Sequence, residues 1–175
     1  MASDAFFIRA TVRVDAADTY VQTEIPLGPF IDVLGNTVLR VLNVEGEFTQ
    51  GSNGPAPSTP VTMASDQAGY ATWQISTQTQ SSMQPLSDKQ LMAKGQMNAR
   101  NPDGSANPPT QVYSDSHLPQ HYSEGYLVAT ESLFLGAQRS DDWELGDDMI
   151  FNVVLECQTE TLSAKKGMAL ALSQQ

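Results

Sequence analysis

The chain has a single cysteine, Cys157, so no disulfide can close within it and nothing marks an oxidising compartment. Cys157 lies in the apolar run "DMIFNVVLECQTETL", where a small buried hydrophobe is the expected role and no partner for a catalytic thiol is evident. Basic residues are scarce: nine Lys and Arg face 20 Asp and Glu, for a net charge of −11, and the nearest thing to a cluster is Lys165-Lys166. A field of that sign repels phosphate backbones, so direct nucleic-acid binding is not expected. No segment approaches the ~18 apolar residues of a membrane span. The opening "MASDAFFIRATV" carries an acid before its apolar stretch and an arginine inside it, unlike a signal peptide, and points to synthesis in the cytoplasm. Also missing are the GxSxG elbow, the GxxxxGK[ST] and GxGxxG phosphate loops, and HExxH.

Charged residues make up only 17% of the chain, below the usual share of about a quarter. Ser, Thr, Gln and Asn fill the gap, which suits a β-rich surface better than a helical one. A chain of 175 residues can bury one sufficient core without disulfides or a structural metal.

The apolar period is near two wherever it can be read. In "FIRATVRV", Ile8, Ala10, Val12 and Val14 alternate with polar residues, as in a half-buried strand. "TYVQTEI" repeats the pattern after "DAAD", so a hairpin between the two is the economical expectation. "PLGPFIDVLGN" suits a tight connection or one helical turn. "TVLRVLNVEGEF", "AGYATWQISTQTQ", "GYLVATESLFLGAQ" and "DMIFNVVLECQTETL" read as further strands. In "QPLSDKQLMAKGQMNA" a short helix opening at Pro85 and a strand over 91–99 stay open.

About eight short strands with Pro/Gly/Ser-rich excursions predict an all-β sandwich or barrel, and two long loops among short connections favour a jelly-roll or Greek-key path. The expected organisation is one jelly-roll domain over residues 1–175. Residues 49–67 and 100–125 are its long loops, and 161–175 is a C-terminal arm or short helix.

Candidate chemistry is sparse. His117 and His121, flanked by Asp115 and Glu124, are the one metal-like group, but on a Pro-broken loop nothing aims them together, so polar loop surface or contact residues is the expected reading. Asp141, Asp142, Glu144, Asp147 and Asp148 could surround a calcium ion, yet without a DxDxDG spacing a solvated acidic turn is expected. Glu45, Glu47, Glu156 and Glu160 read as solvated strand carboxylates rather than a glycosidase pair. Neither a catalytic residue nor a cofactor is assigned. Tyr113, Tyr122 and Trp143, with the two histidines, are the candidate interface residues, because aromatics on polar loops anchor contacts. Trp73 is expected in the core.

The strand "FFIRATVRV", the rise "NTVLRVLNVEGEF", "YATWQISTQTQSSMQPLSD", the Pro/Asn/Ser loops and the closing "DDMIFNVVLECQTETL" together resemble a small viral capsid protein of the single jelly-roll type. Unlike many RNA-virus capsid proteins, the chain begins without a Lys/Arg-rich arm. In this it is similar to the single jelly-roll proteins of membrane-containing DNA viruses of archaea and thermophilic bacteria. The resemblance implies a structural subunit of a virion, not an enzyme, that assembles in many copies through loops and tail, alone or with a second capsid protein that contacts the genome. A jelly-roll carbohydrate-binding module, with Trp143 and the loop tyrosines as a stacking platform, is the alternative. A metal-dependent enzyme at His117 and His121 is a third.

Overall fold

The computed structural model describes residues 4–32, 37–50, 63, 66–102, 110–143 and 148–174, less the side chains of Tyr113, Asp115 and Ser116. Among the described residues, nine strands and one α-helix follow in order: β1 (Phe6–Val14), β2 (Val21–Pro26), β3 (Thr37–Gln50), β4 (Ala68–Ser76), β5 (Leu91–Arg100), β6 (Thr110–His117), β7 (Tyr126–Val128), β8 (Ser132–Arg139), β9 (Met149–Thr161) and α1 (Ala164–Ser173).

They form two antiparallel sheets, β1-β9-β3-β7 and β2-β8-β4-β5-β6. Setting aside β6, which only extends the second sheet beyond β5, the remaining strands renumbered in chain order read 1-8-3-6 and 2-7-4-5. Almost every connection therefore crosses from one sheet to the other, which is the path of a jelly roll.

Alternation decides which residues meet between the sheets. Ile8, Val12 and Val14 of β1 and Phe151, Val153, Leu155 and Cys157 of β9 face Trp73, Ile75, Leu133 and Leu135 of the other sheet in one core. Its centre is aromatic: Trp73 stacks on Phe151 with centroids 4.8 Å apart, and Phe48 lies 4.9 Å from Phe151 on another side. Gly46 of β3 faces this cluster, and a Cβ there would run into the Phe151 ring.

Three expectations are corrected here. The strands β1 and β2 are not a hairpin: β1 pairs with β9, from Phe6 opposite Cys157 to Val14 opposite Met149, while β2 pairs with β8. Periodicity fixes which face is apolar but not which strand lies alongside. The turn between them takes a left-handed residue, Asp18 (φ 53°), whose N–H donates to Arg139 O at 2.7 Å and carries the chain to the second sheet. Nor is 100–125 one loop, since Thr110–His117 is strand β6, paired with β5 from Arg100 opposite Thr110 to Lys94 opposite His117. As an edge strand, β6 needs no alternating apolar residues to hold its ladder. Likewise Thr49 and Gln50, expected in the first long loop, end β3; residues 51–62 of that loop lie outside the described residues. The undecided segment resolves as strand β5, and 164–173 is helical.

The outer face of the second sheet is closed by residues 77–90, held down by glutamines. Gln74, with no exposed surface, donates to Tyr20 Oη and Ser82 O, both at 3.0 Å, and accepts from the Gln84 N–H at 2.7 Å. Gln22 accepts from the Gln80 N–H at 3.0 Å, and the Gln80 amide donates to Gln90 Oε1 at 2.7 Å. Buried amides with every partner supplied cost little, and they fix a segment that has few apolar residues to pack.

Candidate functional site

The corner where β6 ends brings together three of the candidate contact residues. Leu118 and Pro119 are buried and turn the chain through a 3₁₀ turn, Pro119–His121. Gln120 pins that turn to β3: its Oε1 accepts from the Val44 N–H at 3.1 Å and its Nε2 donates to Val44 O at 2.9 Å. The side-chain amide thus supplies Val44 with the pairing that the short β7 does not reach, since β7 covers only Leu39 to Val41. His117 and Tyr122 share a hydrogen bond between Nδ1 and the hydroxyl at 2.9 Å, their rings meeting edge to face at 5.5 Å. Burial, with a smaller contribution from the charge of His121, holds His117 below the usual histidine range. Tyr122 is half exposed and His121 exposed, so the corner offers a hydroxyl, an imidazole and a ring face to a partner.

The metal reading of this corner lacks a third ligand among the described residues, where no three His, Cys, Asp or Glu side chains converge. The Asp115 side chain lies outside the described residues, as does that of Tyr113, whose backbone sits opposite Met97.

Trp143 is a correction. It is 4% exposed, and its indole N–H donates to Tyr70 O at 3.1 Å, so it closes the end of the core instead of standing out as an anchor. Loop aromatics next to an apolar strand can fold back on it, and the sequence does not distinguish that from projection. The acids around it diverge: Asp148 pairs with Arg13 at 2.9 Å, Asp142 lies beside Gly69 and Tyr70, and Asp141 is exposed. Glu144 and Asp147 lie outside the described residues. On the strands, Glu160 pairs with Arg40, which also donates to Glu124 O, while Glu45 and Glu47 lie exposed on β3. Burial, reinforced by Glu156, pushes the Cys157 thiol up to about 12, as befits an inert core residue.

Two features escaped the sequence reading. At the end of the second sheet where β4 begins, a groove of about 770 Å³ opens between Ala68, Tyr70, Asn98, Arg100, Pro102 and Val112. Tyr70 on its floor donates to Asp18 Oδ1 at 3.2 Å; burial, then Asp18, raises its pKa. Val112, on its wall, is 59% exposed.

The second feature is the orientation of α1. Gly167, Leu170, Ala171 and Gln174, at helical spacing, face the body, with Gly167 and Gln174 buried. Lys165, Met168, Ala169 and Leu172 lie on the outer stripe, where Met168 is 69% and Leu172 64% exposed. Two of the three larger apolar side chains of the helix, Met168 and Leu172, thus point away from the sandwich, and only Leu170 turns inward. The helix is fastened at its end by Gln174, whose Nε2 donates to Leu127 O at 2.6 Å and whose Oε1 accepts from the Ala129 N–H at 2.9 Å. The Gln174 carbonyl accepts from Thr77 Oγ1 at 2.9 Å. Small inward residues are what let the backbone approach this closely, and an (i, i+4) apolar pair is legible in "GMALAL" only once the inward side is known.

No protein-family model matches the sequence, and no curated protein matches it. Among solved structures the chain is similar to VP1 of the Trichodysplasia spinulosa-associated polyomavirus in complex with GM1 oligosaccharide, 10% identical over 93% of this chain and 99% of that chain, with a TM-score of 0.47. The same virus's VP1 in another structure is 10% identical over 90% and 96% of the two chains, with a TM-score of 0.41. VP1 is a jelly-roll capsid protein. At this identity the likeness concerns the fold alone.

Proposed function

We propose that this chain is a structural subunit that self-assembles in many copies into a viral capsid or a similar protein shell, without catalysis. The observation that carries the reading is the outer stripe of α1. A helix serving only its own fold turns its largest apolar residues inward, because each buried Leu or Met contributes about 1.5–3 kcal/mol. Here two of the three larger apolar residues, Met168 and Leu172, face solvent, while Leu170 shares the inward side with a glycine, an alanine and a glutamine. Covering that pair requires a neighbour.

The rest of the surface is consistent with such a role. The corner of His117, His121 and Tyr122 supplies a second, polar contact region on a rigid β scaffold. A charge of −11 disfavours contact with a phosphate backbone, so in this reading the genome is contacted by another component such as a second capsid protein, and the chain is made in the host cytoplasm and ends in the virion. The carbohydrate alternative loses its main stacking residue with the burial of Trp143.

Sedimentation velocity and negative-stain microscopy of the purified chain test the reading. Closed or sheet-like assemblies, alone or on mixing with the products of neighbouring genes, are expected. A strict monomer under all of these conditions refutes it.

A further inference from the structure

We propose that the outer stripe of α1 docks into the β4–β6 groove of a second copy of this chain, head to tail. The proposal rests on the assembly reading and names its contact. The helix offers Met168 and Leu172, one turn apart on one face, and the groove is walled by Ala68, Ala99, Pro102 and the exposed Val112. Its volume of about 770 Å³ is ample for two such side chains.

Charge selects the pairing. Two copies carrying −11 each repel over most of their surfaces, so contact is favoured where local signs oppose. Lys165 and Lys166 are the one adjacent pair of basic residues in the chain, and they stand one turn before Met168 on the exposed helix. Asp18 and Asp142 stand at the Tyr70 side of the groove, close enough to act on its hydroxyl, whereas Arg100 lines the β5 side, so opposite signs meet only if the lysines lie toward Tyr70.

Geometry excludes self-insertion. The helix end is tied to Thr77, just past β4, whereas the groove is floored by Tyr70 near the start of the same strand. Seven residues of extended chain separate them by about 23 Å. Knob and groove therefore lie at opposite ends of the sandwich, and only another copy can join them. Such a contact is heterologous: each added copy presents a fresh knob and a fresh groove until a ring or shell closes.

The test uses two full-length single variants, Leu172→Cys and Val112→Cys, with the buried Cys157 as a silent background. Under mild oxidation with diamide, an equal mixture is expected to yield a disulfide-linked dimer at least tenfold above either variant alone. A second variant, Met168→Ser with Leu172→Ser, is expected to lose assembly while keeping the wild-type melting temperature. If the wild-type chain assembles but the mixture cross-links no better than the single variants, the docking is wrong and the assembly reading stands. If Leu172→Cys alone cross-links as well as the mixture, the contact is a two-fold one and the proposal falls. If the wild-type chain never assembles, both fall.

Discussion

Replacing Gln174 should release α1 without melting the sandwich. The side chain makes two hydrogen bonds to the β7–β8 connection, to Leu127 O and from the Ala129 N–H, in a place where Gln174 is 3% exposed. Gln174→Ala removes both. Each buried polar group left unmatched costs about 1–3 kcal/mol, so the pair comes to about 2–6 kcal/mol if they stay dry. They need not stay dry, because the rest of the inward stripe is only Gly167, Leu170 and Ala171. Lifting the helix admits water to Leu127 O and the Ala129 N–H, which caps the loss at what docking itself is worth. A shift of about 3 kcal/mol in the docking equilibrium corresponds to roughly 150-fold. Hydrogen exchange read by mass spectrometry should therefore show the amides of α1 exchanging about 100-fold faster, with β4 and β9 unchanged. Gln174→Glu should act in the same direction, since it keeps an acceptor for Ala129 but sets an oxygen against Leu127 O. Wild-type protection across α1 in Gln174→Ala would refute the clasp, and accelerated exchange throughout β9 would refute its local character.

Three further outcomes follow from the core and the β6 corner. Cys157, buried and with its thiol pushed up to about 12 from 9.0, should react with a disulfide reagent at pH 8 about 1000-fold more slowly in the folded chain than in urea; fast stoichiometric labelling of the native protein would contradict this. Gly46→Ala forces a methyl group into the Phe151 ring and should cost about 1–3 kcal/mol, lowering the melting temperature by roughly 3–10 °C; an unchanged melt would mean that the aromatic cluster yields freely. His117 titrates below its usual 6.5 because of burial and then His121, so the unfolded chain takes the proton first as pH falls. Its contribution to stability is fully present above about pH 6.5 and is lost as pH falls through that value towards the folded-state pKa. Urea midpoints of the wild type should fall more than those of His117→Gln between pH 7.5 and 5.5, and superimposable profiles would refute the assignment.

What the sequence made legible follows from what alternation encodes. The inward faces of β1, β4 and β9 could be read from residues such as Val12, Trp73 and Phe151, because a two-residue period has one apolar side. The pairing of β1 with β9, at least 135 residues apart along the whole ladder, could not, since nothing local records a distant neighbour. Strand β6 was read as loop because "TQVYSDSH" shows no alternation of apolar and polar residues, and an edge strand gets its order from backbone pairing with β5. The glutamines carry no local signal of their role: Gln74 and Gln174 are both buried adhesive, which only their tertiary partners reveal. Of the candidate site, His117, His121 and Tyr122 could be named from the sequence as contact residues, but nothing in a Pro-broken segment aimed them at one corner. The orientation of Trp143 and of α1 depended on tertiary contacts, where Gly167, a poor helix former by propensity, is one of the inward residues.

The two elements outside the jelly-roll path bear on why this chain exceeds the minimum its fold requires. Eight strands already close the core, and neither β6 nor α1 contributes a buried large side chain to it among the described residues. Each instead carries an apolar side chain into solvent, Val112 on β6 and Met168 with Leu172 on α1, at opposite ends of the sandwich. For an isolated monomer these additions cost ordering entropy and expose apolar surface, with little burial in return. They gain a physical purpose when surface left open on one copy is covered by the next. That is why perturbing α1 at Gln174 should reach assembly even though the mutated side chain is itself buried.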